Sequence, residues 1–298
     1  MEFFSQTYVA LRGPTGAPQT PTDTIGRLSD RLSPATLLAD RRAAVLALKG
    51  LSRDCKQEVG ERALTGLLDV LYNDAEVDAD IGKAILETLD TLCSTEDATV
   101  GSKELGSKHT DVIVSSDKTT HTLFALLADN NFYTRFATLQ FLTTLLHNRR
   151  QAIQSYFLTA PAGPGSVIAV LEDKREIIRN GGHDSLPILN ITSHRRFHFV
   201  TFFIVRLKAD GSFAEAITMV QALTFQSPDI QKVLAFEGAF EKLFNTVTQE
   251  GGVDGGLVAQ GALTCVDGLL RFNSSNQVSS VDLLVGWSCR YFCPELFP

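Results

Sequence analysis

The sequence predicts an all-α fold, a solenoid of stacked helical repeats with a period of about 46–47 residues. Three observations carry this. Apolar residues recur at helical spacing in segment after segment, a Gln-containing signature returns at regular distances, and runs that would suit strands are confined to one stretch near position 200. Composition agrees with a folded globular chain: 298 residues, 44% hydrophobic and 20% charged, enough for one large core or two ordinary ones. A formal charge of −7 argues against a surface built to hold nucleic-acid backbone, which needs clustered positive charge.

The elements follow in order. Residues 1–22 read as a flexible leader: no basic segment precedes an apolar run of signal-peptide length, and Gly, Pro and Thr soon dominate. From Ser33, SPATLLADRRAAVLALKGLSRD offers Ser33 as a cap and Pro34 at a first helical position, with Leu37, Leu38, Val45, Leu46 and Leu48 forming an apolar stripe. The same texture returns in ERALTGLLDVLYND, IGKAILETLDTLC, HTLFALLADNNFYTRFATLQFLTTLLHN, GSVIAVLEDKREIIRN and FEGAFEKLFNTVTQEGG.

The repeat shows at three glutamines. In LKGLSRDCKQEV, LTTLLHNRRQAI and ALTFQSPDIQKV, an apolar helix ends at Leu51, Leu145 or Phe225, and Gln57, Gln151 or Gln231 follows, then one residue and Val or Ile. Gln57 and Gln151 stand 94 residues apart, twice 47, and share an upstream Arg-x-Ala-x-Leu in Arg42, Ala44, Leu46 and Arg135, Ala137, Leu139. Gln151 and Gln231 stand 80 apart, and leaving out the 34 residues 181–214 restores 46. Periods of 40–47 belong to armadillo- and HEAT-type repeats, whose helices bury their apolar faces only by stacking on neighbours.

Against that background 193–211, SHRRFHFVTFFIVRLKADG, is out of character. The apolar part, Phe197 to Leu207, is too short and too polar to cross a bilayer. His194 and His198 do not make a metal site, because the β-branched and aromatic pattern there favours a strand. Residues 181–214 are expected to be a foreign insertion and 278–298 a foreign tail. The codons of Gly181 to His183 and of Ala214-Glu215 allow a splice donor and acceptor, and those of Val278-Ser279 allow a donor, so both are expected to be translated intron, the second running on to a stop after Pro298.

No catalytic, cofactor-binding or metal-binding constellation is legible. EGGVDGG at 250–256 lacks the Gly-Lys-Ser/Thr ending of a phosphate loop and follows a helix instead of a strand. His183, Asp184 and Ser185 are mere neighbours in sequence, whereas a triad is a geometry between distant residues. Five cysteines, an odd number, form neither a metal pair of pairs nor a disulfide framework, which suits a reducing cytoplasm, and Cys265 reads as core.

The segments TLLADRRAAVLALKGLSRDCKQEVG, EAITMVQALTFQSPDIQKVLAFEGAFEKLFN and VTQEGGVDGGLVAQGALTCVDGLLRFNSSNQ closely resemble the N-terminal globular head of the general vesicular transport factor family, in a fungal-like form, over roughly 23–180 and 215–277. The resemblance implies an armadillo-like head which continues, in the family, into further repeats, a dimeric coiled coil and an acidic tail. It implies no enzyme activity and no cofactor. The partners it implies are a Rab-type small GTPase, SNARE and tethering-complex proteins and a second copy of the chain, without nucleic acid. The location it implies is the cytoplasm, peripheral on Golgi and transport-vesicle membranes. The polar positions Glu241, Lys242, Gln249, Glu250, Asp254, Asp267, Arg271 and Asn273, in the block nearest the family, are the expected partner-binding residues. The alternative is an armadillo cargo adaptor such as a nuclear import receptor, whose groove presents Trp-x-x-x-Asn ladders; here the single Trp, Trp287, lies in the expected foreign tail.

Overall fold

A computed structural model of the chain describes residues 20–95, 100–171 and 212–280, with side chains from 215 onward in the last segment. Among these residues there is no strand: helices follow one another with short turns. The chain divides into two compact units on either side of Ser115.

In the first unit α1 (Pro21–Asp30), α2 (Leu38–Leu51), α3 (Lys56–Asp74), α4 (Ala79–Cys93) and α5 (Val100–Ile113) form two layers. One contains α2 stacked on α4; the other carries the run α1, α3, α5. Local chemistry sets several starts. Thr20 accepts from Asp23 N at 3.1 Å just before Pro21, and Asp78 accepts from Asp80 N at 3.0 Å and Ile81 N at 3.1 Å. Between the layers Ile25, Val45, Leu48, Val59, Leu67, Ile81, Ile85 and Leu89 are completely buried. Each such side chain contributes roughly 1.5–3 kcal/mol relative to an exposed one.

Ser33 does not cap α2. Thr36 Oγ1 donates to Arg31 O at 2.8 Å and Ser33 O at 2.7 Å, closing a separate turn, so the helix starts at Leu38 with Leu37 at its cap position and no side-chain cap bond. Leu37 and Leu46, expected in the apolar stripe, face solvent with 74% and 51% exposure. Delaying the start by four residues leaves Ala44, Val45 and Leu48 as the buried face.

The second unit repeats the scheme. It holds α6 (Asp117–Leu126), α7 (Phe132–Thr159), α8 (Gly163–Leu171), α9 (Ser212–Thr224), α10 (Pro228–Phe236), α11 (Ala239–Gln249) and α12 (Leu257–Leu270), then a helical stretch over 274–280. One layer is α7 on α9 on α12; α6, α8 and α11 make the other, with α10 against α8, α11 and α12. Phe124 of α6 meets Phe157 of α7 edge to face at 5.2 Å, both completely buried. The starts of α2 and α7 lie 94 residues apart and those of α9 and α12 lie 45 apart, so the helices carry the spacing read from the glutamines.

Gln57 and Gln231 sit near the start of the helix that follows a stacked helix, and Gln151 sits two residues past a break in α7 at Arg149. Gln57 and Gln151 are exposed, with Val59 and Ile153 completely buried two residues on. Gln231 differs: it is buried, and Ile230 and Leu234 fill the core beside it while Val233 is only half-buried. The residue type recurs, but the third helix is turned about its axis.

The expected leader and foreign segments fall mostly outside the described residues, as do His183, His194 and His198. At their borders, α1 already begins at Pro21, α9 begins at Ser212, and helix continues past 277 to 280.

Candidate interaction surface

A stack of this kind must satisfy the carbonyls at the end of each stacked helix, which have no partner within the helix. Both units do so with a side chain from the adjacent helix. In the first, Lys56 at the start of α3 donates from Nζ to Ser94 O, just past α4, at 2.6 Å, and His109 Nδ1 of α5 lies 2.9 Å from Leu92 O. In the second, Gln154 Nε2 of α7 donates to Leu223 O at 2.8 Å and Phe225 O at 3.0 Å, at the end of α9. Gln231 Nε2 of α10 donates to Gly268 O of α12 at 3.0 Å and Thr224 O at 3.3 Å. Asn276 Nδ2 completes the series, donating to Leu269 O at 2.9 Å and Gln231 O at 3.0 Å.

The eight expected contact residues divide according to this framework. Glu241 and Gln249 are exposed on α11, Asp254 is exposed in the 3-10 turn Gly252–Asp254, and Lys242 and Glu250 are half-buried. Asp267 and Arg271 are exposed one turn apart at the end of α12, joined by a guanidinium–carboxylate pair at 2.5 Å. Exposed pairs of this type contribute little stability, so both charges stay usable by a partner. Asn273 is different. It is buried, 3% exposed, and donates to Pro228 O and Gln231 Oε1, both at 3.1 Å, while its own Oδ1 accepts from Asn276 N at 3.2 Å. Its amide is spent inside the fold, so it is removed from the contact set. Nothing in the sequence separates Asn273 from an exposed asparagine except its position three residues after the apolar end of α12 at Leu270.

The glycine-rich 250–256 stretch connects α11 to α12, with Gly251 and Gly252 at φ 95° and 76°, conformations that glycine adopts without strain. Among the described residues no group of three or more His, Cys, Asp and Glu is placed to hold a metal ion. No described helix is long and apolar enough to cross a membrane. Cys93 and Cys265 are buried, and loss of solvation pushes each thiol up to about 12.

The stacked layers and the alternation of buried and exposed helix faces define the class: an armadillo-like α-solenoid, which presents surface to macromolecules. No protein-family profile matches the chain. It is 34% identical over 275 residues to the general vesicular transport factor p115 of Bos taurus, covering 90% of the chain and 25% of p115. It is 32% identical over 245 residues to Golgin candidate 6 of Arabidopsis thaliana, covering 80% of the chain and 23% of that protein. The crystal structure of Uso1-1 superposes with a TM-score of 0.69 at 28% identity, over 88% of the chain and 38% of Uso1-1. The chain belongs to the general vesicular transport factor family and corresponds to its armadillo-like N-terminal head. It spans about a quarter of the length of p115.

Proposed function

We propose that the chain is the head portion of a vesicle-tethering factor acting between endoplasmic reticulum and Golgi and within the Golgi. In this reading it is recruited by a Rab-type small GTPase and serves as a scaffold for SNARE and tethering-complex proteins. It performs no bond chemistry, and its work is capture. It is cytoplasmic, touches Golgi and vesicle membranes peripherally, and pairs with a second copy when joined to the remainder of the protein. The observation that carries the reading is the likeness to p115 over nine-tenths of the chain, in two units that each stack helices in two layers. In this reading the partners meet α11, the turn after it and α12, through Glu241, Lys242, Gln249, Glu250, Asp254, Asp267 and Arg271.

The test is to immobilise Rab-type GTPases of the early secretory pathway, loaded with GTP or GDP, and measure binding of the purified chain. Charge-reversed Glu241→Lys and Asp267→Lys variants go alongside. Selective binding to a GTP form, weakened in the variants, is expected. Binding to a basic nuclear-localisation peptide with no GTPase binding would move the chain to the cargo-adaptor class.

A further inference from the structure

From Asn130 to Leu171 the chain carries no Asp or Glu at all, although its net charge is −7. That stretch contains all of α7 and α8, and its cations are Arg135, Arg149 and Arg150 with His147 beside them. Arg135 is committed to the fold: it is buried and donates to Asp129 O at 2.8 Å. The others gather where α7 bends. Arg149 has φ −141° and ψ 58°, outside the helical range, and here the inter-helix turn of the repeat has shrunk to a single residue. The equivalent joint between α9 and α10 takes three residues, Phe225 to Ser227.

The bend sends Arg150 across to that neighbouring joint. Its guanidinium carbon lies 4.5 Å from the centroid of the Phe225 ring, a cation–π arrangement. The backbone beneath the ring is held by the two Gln154 bonds already described. Phe225 is nonetheless 51% exposed, and Arg150 forms no ion pair or hydrogen bond among the described residues, its buried Nε included. A planar cation, held against an aromatic face, is thus left with its donors unspent beside an apolar ring open to solvent.

We propose that this joint is a docking site for a short acidic segment of a partner protein. Arg150 takes a carboxylate through its planar fork, and an apolar side chain next to that carboxylate lies against Phe225. Complementarity of charge selects the occupant: acid is missing from α7 and α8, and the nearest acid in sequence on the facing elements is the exposed Asp229 in the first turn of α10. Attraction to anionic membranes draws on clusters of four to eight basic residues. The bend supplies two arginines and a histidine, which suits one or two discrete carboxylates instead of a lipid surface. The site is separate from the surface on α11 and α12, so either can fail without the other.

The experiment uses the purified whole chain and two probes, a short fluorescent peptide of alternating glutamate and phenylalanine and phosphatidylserine vesicles. Peptide binding that falls with salt is expected, weakened about tenfold or more by Arg150→Glu, and less by Arg150→Lys, which keeps the charge but loses the fork. Phe225→Ala is expected to weaken it severalfold. Absence of peptide binding, or equal affinity in Arg150→Glu, overturns the proposal, and so does Arg150-dependent binding to the vesicles alone. Thermal melts confirm that each variant folds; if Arg150→Glu melts early, Arg150→Gln takes its place.

Discussion

Replacing Asn276 by alanine removes two hydrogen bonds that no water can easily replace. The side chain is 3% exposed and its Nδ2 donates to Leu269 O and Gln231 O, joining the end of α12 to α10. A net contribution of about 1 kcal/mol per bond gives about 2 kcal/mol, and the stranded carbonyls raise the figure toward about 3–4 kcal/mol. Asn276→Asp is expected to cost more, because a carboxylate would face two carbonyl oxygens with nothing to donate. A chain of two units need not unfold in one step, so urea unfolding followed by circular dichroism is combined with amide hydrogen exchange of α10 and 274–280. The expected result is faster exchange in those two stretches, with α1 to α5 unchanged. A loss under about 0.5 kcal/mol with unaltered exchange would refute the claim that these amides hold the joint.

Further outcomes are expected elsewhere. A Cβ at Gly60 would overlap the His109 ring, and that ring is tethered to Leu92 O, so Gly60→Ala should destabilise the first unit by about 1–3 kcal/mol; additive losses with His109→Ala in a double-mutant cycle would contradict the contact. Burial alone would raise the Asp78 carboxyl, but the Arg42 guanidinium and the N–H groups of Ile81 and Asp80 outweigh it and hold the group below its usual range. A lowered folded value gives stability that is present above the unfolded carboxylate range and lost as pH falls through the folded value. Asp78→Asn should therefore flatten the acid limb of the stability curve of the first unit, and an unchanged limb would count against it. Cys93 and Cys265, with thiols raised to about 12, should resist iodoacetamide at pH 8 far longer than half-buried Cys55, unless urea is added. Peptide mapping showing all three alkylated together would contradict their burial.

Helix content was legible because it rests on periodic apolar positions, which local chemistry cannot disguise, and the repeat spacing because the glutamine signature recurs beside them. Leu48, Val59, Ile81 and Leu89 announce buried faces by spacing alone. The start of α2 was not legible, since Ser33-Pro34 satisfies every local rule for a cap while Thr36 turns the chain otherwise. Asn273 misled in a related way, and the burial of Gln231 had no signal in the sequence. A polar side chain that caps a carbonyl on another helix looks, in sequence, like one facing water, and its partners Gly268 and Pro228 lie far along the chain. The Arg150–Phe225 contact was hidden for the same reason: it depends on a bend at Arg149 that contains neither proline nor glycine. Its one trace in the sequence is the absence of acidic residues around it.

As a head of the vesicular transport factor family, the chain is proposed to act by capture. The most direct measurement is the affinity of the purified chain for an early-secretory Rab-type GTPase in its GTP and GDP forms. Saturable binding to the GTP form is expected, at least about tenfold tighter than to the GDP form and weakened by Asp267→Lys. Equal binding to both forms, or none by a chain whose melt and hydrogen exchange show it folded, would contradict it.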